Sequence, residues 1–135
     1  MASWLKLLGK APDQLLPDRW AFDRPDLLEH VRFGDAHKPT DISSGDELVY
    51  YGVGWQRIFA LAVVASDEPY ETTFTTEWEQ AWPWVLDVRV TAKKRRLSEA
   101  PGVMELGTIP DLRHQGYVPL TAEQLAKAKS VITAN

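Results

Sequence analysis

The chain has 135 residues, 44% hydrophobic and 25% charged, enough apolar material for one buried core and consistent with a single domain over residues 1–135. It contains no cysteine, which excludes disulfides, thiolate metal sites and cysteine nucleophiles together. The formal net charge of −4 argues against a strong non-specific nucleic-acid binder, which is normally basic. No apolar run reaches the roughly eighteen residues of a membrane span. The opening MASWLKLLGK is too short and too mixed for a secretory signal, so a cytoplasmic protein without a membrane partner is expected.

Taken in chain order, SWLKLLG has the length and composition of a first strand. KAPDQLLPDRWAFDRP holds three prolines and predicts a long, turn-rich crossing with a short helical turn. RPDLLEHVRF predicts a helix opened by Pro25, with Leu27, Leu28 and Val31 on one face. GDAHKPTDISSG is irregular, and its Gly45-Asp46 pair is a turn signal. ELVYYGV is the second strand. RIFALAVVAS is the third, with Phe59, Leu61 and Val63 expected on one face and Ile58, Ala60, Ala62 and Val64 on the other. Apolar residues on both faces mean a strand buried on both sides, and its alanines suggest close approach of another element, as inside a small barrel.

DEPYETTF is a loop or crossing. In WPWVLDVRVTA the residues Trp82, Trp84, Leu86, Val88 and Val90 share a buried face, while Val85, Asp87, Arg89 and Thr91 share a mostly wet one. Two short irregular or edge segments follow, RLSEAPGVMELG and IPDLRHQGYVPL. TAEQLAKAKSVI closes the chain as a helix, with Thr121 and Gln124 spaced as a capping box and Leu125, Ala128, Val131 and Ile132 as its apolar stripe. These elements make an α+β domain around a small, mostly antiparallel sheet or barrel.

Enzyme signatures are thin. The chain has no phosphate-binding glycine loop, no dinucleotide fingerprint and no zinc-protease or nucleophile-elbow motif. His30, expected on a helix surface, and His37 and His114, expected in loops, lack ligand spacing, so neither metal nor cofactor is expected. The aromatic residues say more. Trp82 and Trp84 fall on the apolar face of their strand, Trp78 lies in the acidic TEWEQ, and Trp55 occupies a polar turn where it either stacks a ligand or folds back as a lid. Charge is uneven too: no Lys or Arg lies between Arg57 and Arg89, after which Arg89, Lys93, Lys94, Arg95 and Arg96 follow closely. That run is either a solvated strand end or one phosphate-facing edge on an acidic body.

The ordered set SSGDELVYYG, RIFALAVVASDEPY and WPWVLDVRV, followed by LRHQGYVPLTAEQLAKAKSVI, resembles an EVE domain of the PUA-like superfamily, related to YTH domains. The resemblance is weak over residues 1–30 and best over residues 43–91. It implies a PUA-like/EVE fold, a small twisted β-barrel flanked by helices, and a non-catalytic module that reads a modified or flipped base. Aromatic walls would sandwich the base, and polar groups would read its edge. By position, VRFGD matches the family's pocket wall and nominates Arg32, Phe33 and Gly34; the tryptophan-led strand entry nominates Trp82, with Trp78 as a neighbour. Arg89, Lys93, Lys94, Arg95 and Arg96 would touch phosphate. The chain departs from the family at two places: Gly9-Lys10 stands where a Lys-Ser pair is usual, and Phe33-Gly34 where Asn-Tyr follows the arginine.

The expected partner is a nucleic acid with a modified or unpaired base. Two other readings stay open. A small-molecule or nucleotide sensor on the same barrel is favoured by the acidic balance. An enzyme acting on a nucleoside-like ligand, using Asp35, Asp46 or His37 as acid or base, is the weakest of the three.

Overall fold

The computed structural model describes residues 2–8, 16–33, 41–71, 84–107 and 117–133, with nothing resting on the side chains of residues 26, 27, 32, 33 and 71. In chain order they form strand β1 (Ser3–Leu8), the short helices α1 (Trp20–Asp23) and α2 (Pro25–Glu29), and strands β2 (His30–Phe33), β3 (Glu47–Gly52), β4 (Arg57–Val64), β5 (Tyr70–Glu71) and β6 (Trp84–Lys93). Two single-turn 3-10 helices (Leu97–Glu99 and Val103–Leu106), strand β7 (Tyr117–Pro119) and helix α3 (Ala122–Thr133) complete the order. The strands lie side by side as β2-β6-β4-β3-β1-β7, and β5 pairs with β6. Only β1 and β3 run parallel; every other described pair is antiparallel.

The expected α+β class, built on a small and mostly antiparallel barrel, is therefore observed, with the described strands forming a half-barrel. Among the described residues the end strands β2 and β7 do not pair.

The sheet buries both faces. Leu48 and Tyr50 of β3, Ala60, Ala62 and Val64 of β4, and Leu86 and Val88 of β6 join Trp20, Leu28 and Val31 in one cluster. Leu5 and Leu7 of β1, Val49 and Tyr51 of β3, and Ile58 and Leu61 of β4 join Ala128 and Ile132 of α3 in the other. The pairing register slips between Tyr50 and Tyr51, which face Ala60 and Ile58, so Phe59 is the extra residue of a β-bulge. The bulge reverses the alternation expected for β4. Phe59 lies with Ala60, Ala62 and Val64, and Ile58 with Leu61. Phe59 thereby meets Trp20 and Tyr50 edge to face, each at a ring-centroid distance of 6.0 Å. Such pairs add about 0.5–1.5 kcal/mol beyond area burial.

A second slip, where Leu61 faces Ala92 and Ala62 faces Val90, makes Thr91 the extra residue of β6. Its hydroxyl donates to the Leu61 carbonyl at 3.3 Å. Upstream of it the expected face of β6 is present, with Trp84, Leu86, Val88 and Val90 all on the first cluster.

The helix expected over RPDLLEHVRF stops at Glu29, and His30 starts a strand. Leu28 and Val31, which share a helical face by spacing, both reach the first cluster across the helix-to-strand change. Pairing of His30–Phe33 with Asp87–Trp84 supplies the ladder bonds that a longer helix would have kept internal. Pairing won over local periodicity. The capping box of α3 forms as expected: Gln124 N–H donates to the Thr121 hydroxyl at 3.1 Å, and Thr121 N–H to the Gln124 amide oxygen at 2.9 Å.

Trp55 resolves as a packing residue. Its indole N–H donates to the Leu16 carbonyl at 2.8 Å, and its ring leans half-buried on the first cluster. The turn that carries it needs left-handed backbone at Gly54 (φ 86°) and at Gln56 (φ 57°). A side chain at Gly52 would crowd Leu97 at 3.0 Å.

Asp46 is buried and satisfied by three donors. One carboxylate oxygen accepts the Ala2 N–H at 3.0 Å; the other accepts the Ser43 N–H at 3.0 Å and the Trp4 indole N–H at 3.1 Å. Its own carbonyl accepts the Val64 N–H at 2.8 Å, while Glu47 N–H reaches the Ala2 carbonyl at 3.0 Å. Burial pushes this carboxyl up, but the Ser43, Ala2 and Trp4 N–H groups outweigh it and hold it below the ordinary value of 3.8. A depressed carboxyl contributes stability that is present above its unfolded value and lost as pH falls through the folded one. Asp46→Ala should therefore cost about 2–4 kcal/mol at neutral pH, because buried donors lose a charged acceptor. Asp46→Asn should flatten the loss of stability below about pH 4. Thermal melts at neutral and acid pH check both expectations, and an Asp46→Asn protein with an unchanged acid profile would contradict the second.

Candidate functional site

The nominated pocket wall falls on the corner where β2, β5 and β6 meet. Backbone pairing places Phe33 opposite Trp84 and Arg32 opposite Val85. On the other edge of β6, Tyr70 and Glu71 of β5 pair with Val85 and Trp84. The first turns of β6 thus carry a neighbour on each side. Gly34, Trp78 and Trp82 lie outside the described residues, as do the side chains of Arg32 and Phe33. Trp84, two residues after Trp82, is half-buried and packed on the first cluster.

One constellation at this corner escaped the sequence reading. Asp87 Oδ1 accepts the Tyr70 hydroxyl at 2.7 Å and lies 2.8 Å from His30 Nδ1. Backbone bonds fix the carboxylate's position: Asp87 N–H donates to the Ser66 hydroxyl, and the Asp87 carbonyl accepts the N–H groups of Ala65 and Ser66. The path from β4 to β5 is thus sewn onto β6 at the residue that presents the carboxylate. Burial pushes the Asp87 carboxyl up, whereas the Tyr70 hydroxyl and then His30 hold it below 3.8. An ionised carboxylate only accepts hydrogen bonds, so His30 donates from Nδ1 and turns Nε2 away from it. Both His30 and Asp87 are about half exposed, and the ring of Tyr70 is exposed as well. The group is a ready set of polar contacts at the rim of the corner. The sequence signal was present in His30, Tyr70 and Asp87, but it required the β2–β6 register to read.

On the first strand, Lys6 is fully buried, and its ammonium donates to the Leu7 carbonyl at 2.9 Å. By alternation it shares a face with Trp4 and Leu8, both packed on the first cluster. The hydrophobic reading of SWLKLLG gave it no role.

The basic run is distributed differently from a simple strand end. Arg89 is exposed on β6. Lys93 donates to the Ala21 carbonyl at 3.3 Å, Lys94 N–H to the Phe59 carbonyl at 2.8 Å, and Arg96 pairs with Asp18 at 3.3 Å. Arg95 sits over the Phe22 ring, 5.5 Å from its centroid. The end of β6 is thus folded onto α1. Asp18 also accepts the Ser98 N–H at 2.8 Å; the Ser98 bonds foremost, and then the Arg96 guanidinium, hold its carboxyl below 3.8.

Of the candidate acid–base residues, Asp46 has both oxygens committed to the strand clasp, whereas Asp35 and His37 lie outside the described residues, as does His114. Among the described residues, no three His, Asp or Glu side chains are grouped to hold a metal ion. Among the described residues, no helix is long and apolar enough to cross a membrane.

No protein-family model matches the chain, and no curated protein is similar enough to count as a relative. Solved structures are similar along its whole length. Protein PSPTO5229 of Pseudomonas syringae superposes with a TM-score of 0.57 at 16% identity, covering 97% of this chain and 99% of its own. Rpa0253 of Rhodopseudomonas palustris gives 0.57 at 13% identity, covering 100% and 97%. Human THYN1, solved in complex with DNA containing 5-methylcytosine, gives 0.53 at 14% identity, covering 100% and 99%. These neighbours are EVE-type, PUA-like proteins. At such identities the likeness establishes the fold, which is the one that the motifs imply.

Replacing Tyr70 by Phe removes the strongest bond that favours the ionised Asp87, so the carboxyl of Asp87 should titrate at higher pH in Tyr70→Phe than in the parent. Carboxyl-carbon NMR titration measures this directly. An unmoved Asp87 would mean that the hydroxyl does not bond there in solution.

Proposed function

We propose that this half-barrel is a non-catalytic nucleic-acid-binding module that accepts one modified or unpaired base at the β2–β5–β6 corner. The carrying observation is the full-length likeness in fold to a human protein whose structure contains 5-methylcytosine DNA. Further support comes from the meeting of β2 and the tryptophan-bearing entry to β6, which brings the backbone of Arg32 and Phe33 beside that of Val85 and Trp84. In this reading Phe33 and Trp82 offer flat faces to the base, with Trp78 beside them. Gly34 lets the chain approach closely, and Arg32 contacts the base edge. Stacking on aromatic walls contributes about 1–3 kcal/mol per base but does not distinguish bases, so edge-reading polar groups are required. His30, Tyr70 and Asp87 stand at the same corner with donors and an acceptor already oriented. Arg89, Lys93, Lys94, Arg95 and Arg96 supply phosphate contacts that compensate for an acidic body.

A methylated base that is already unpaired avoids the few kcal/mol that extrusion from a duplex costs. Single-stranded or mismatched substrates should therefore bind better than intact duplex. Titration with single- and double-stranded oligonucleotides, with and without 5-methylcytosine, at two salt concentrations tests the reading. Affinity should rise with methylation and fall with salt. Phe33→Ala and Trp82→Ala should each weaken base-dependent binding about tenfold. Folded variants of both that bind normally would remove the proposed pocket. Equal binding of free nucleosides without salt dependence would favour a small-molecule sensor instead.

A further inference from the structure

The turn-rich crossing and the end of β6 form a second feature, at the opposite end of that strand from the β2–β5–β6 corner. Helix α1 buries Trp20 and Ala21 but leaves Phe22 46% exposed. Two guanidinium groups lie over that exposed ring, Arg19 at 4.8 Å and Arg95 at 5.5 Å from its centroid. Both arginines are themselves exposed. The platform beneath them is fastened at several points. Leu97 N–H donates to the Asp18 carbonyl at 2.8 Å, Ser98 N–H to the Asp18 carboxylate at 2.8 Å, and Lys93 to the Ala21 carbonyl at 3.3 Å. Arg96 and Ser98 occupy the Asp18 carboxylate, which reduces its repulsion of an incoming anion. Over residues 18–24 and 93–99 there are six cations (Arg19, Arg24, Lys93, Lys94, Arg95, Arg96) against three acids (Asp18, Asp23, Glu99), in a chain whose total is −4.

We propose that Arg19 and Arg95, held on Phe22, form a clamp for the phosphate chain of a nucleic acid, and that Phe22 is the positioning residue of that clamp. A guanidinium within about 6 Å of an aromatic centroid is attracted to the ring, and here two of them share one exposed ring. Stacking on the ring uses the flat face of a guanidinium and leaves its N–H edge for paired bonds to phosphate oxygens. It also removes part of the side-chain freedom that each arginine would otherwise lose on binding. The clamp rests on the nucleic-acid reading but not on the base pocket, and it binds any sequence.

The test uses the full chain and an unmodified oligothymidylate, with affinity measured by fluorescence anisotropy across a salt series. Arg19→Gln and Arg95→Gln should each weaken binding about fivefold and reduce the slope of log affinity against log salt by about 0.7, one single-strand phosphate contact. Lys127→Gln changes net charge equally on α3, the helix on the other face of the sheet, and should leave the slope unaltered. Phe22→Leu keeps both charges yet should weaken binding about threefold, and Phe22→Tyr should restore it. Melting temperatures taken alongside separate lost contact from lost folding. Unchanged slopes in both folded arginine variants, or a Phe22→Leu protein that binds normally, would overturn the clamp. Arginine variants that lose affinity for polyglutamate rather than oligothymidylate would also overturn it, in favour of an acidic peptide partner. The ratio of affinities for methylated and unmethylated oligonucleotides should be untouched by all these variants. A ratio of one in the parent protein, with its salt slope intact, would defeat the base pocket and leave the clamp standing.

Discussion

The carboxylate of Asp46 is the constraint on which the sheet depends. It joins the start of β1 to the turn before β3 through one buried group, while the main-chain carbonyl of the same residue takes the N–H of Val64 at the end of β4. The N–H of Ala2 and the indole of Trp4 fix where β1 enters, and the pairing of Ser3 with Glu47 begins one residue further on. A parallel pair has no hairpin to set its register, so another device must do so. Here a buried charge with matched donors serves, and a side slip would strand that charge without partners.

From that fixed centre the two faces of the sheet acquire different tasks. One packs α3 through Ala128 and Ile132; the other receives α1, α2 and the side chains of Trp4, Trp20, Trp55 and Trp84. The extra residues Phe59 and Thr91 allow one pair of strands to serve both. Phe59 turns toward Trp20, which seats α1, and α1 in turn presents Phe22 outward. The β2–β5–β6 corner and the basic platform are therefore both extensions of the first cluster, reached through β6 at its opposite ends.

Elements whose sequence pattern is local were legible. The alternation in β6 and the Thr121–Gln124 capping box both appear as the residues imply. The double-sided burial of β4 was also readable, but not its phase. No property of RIFALAVV announces that Phe59 is an extra residue, because a bulge is defined by the partner strand. The helix forecast through Val31 failed for a related reason: an apolar spacing of three serves a helical face and a helix-to-strand junction equally well. Sites made from distant residues were the least readable. Asp18 and Arg96 are 78 positions apart, and His30 and Asp87 are 57 apart. Their chemistry is visible in the sequence; their proximity is a product of sheet order. The motif resemblance carried the fold further than periodicity alone because it encodes that order.

The pairing pattern also bears on how the molecule assembles in time. Among the described pairings only β3 and β4 meet through a short connection, from Gly52 to Arg57. Strand β1 must find β3 across a long crossing, and β2 must find β6 after β3, β4 and β5 have been made. Loop closure over such separations costs chain entropy before any contact offsets it, which slows folding relative to a chain of local contacts. The β3–β4 hairpin, closed by left-handed Gly54 and Gln56, is the most local of these pairings, whereas the pairing that bears Phe33 and Trp84 joins distant parts of the chain.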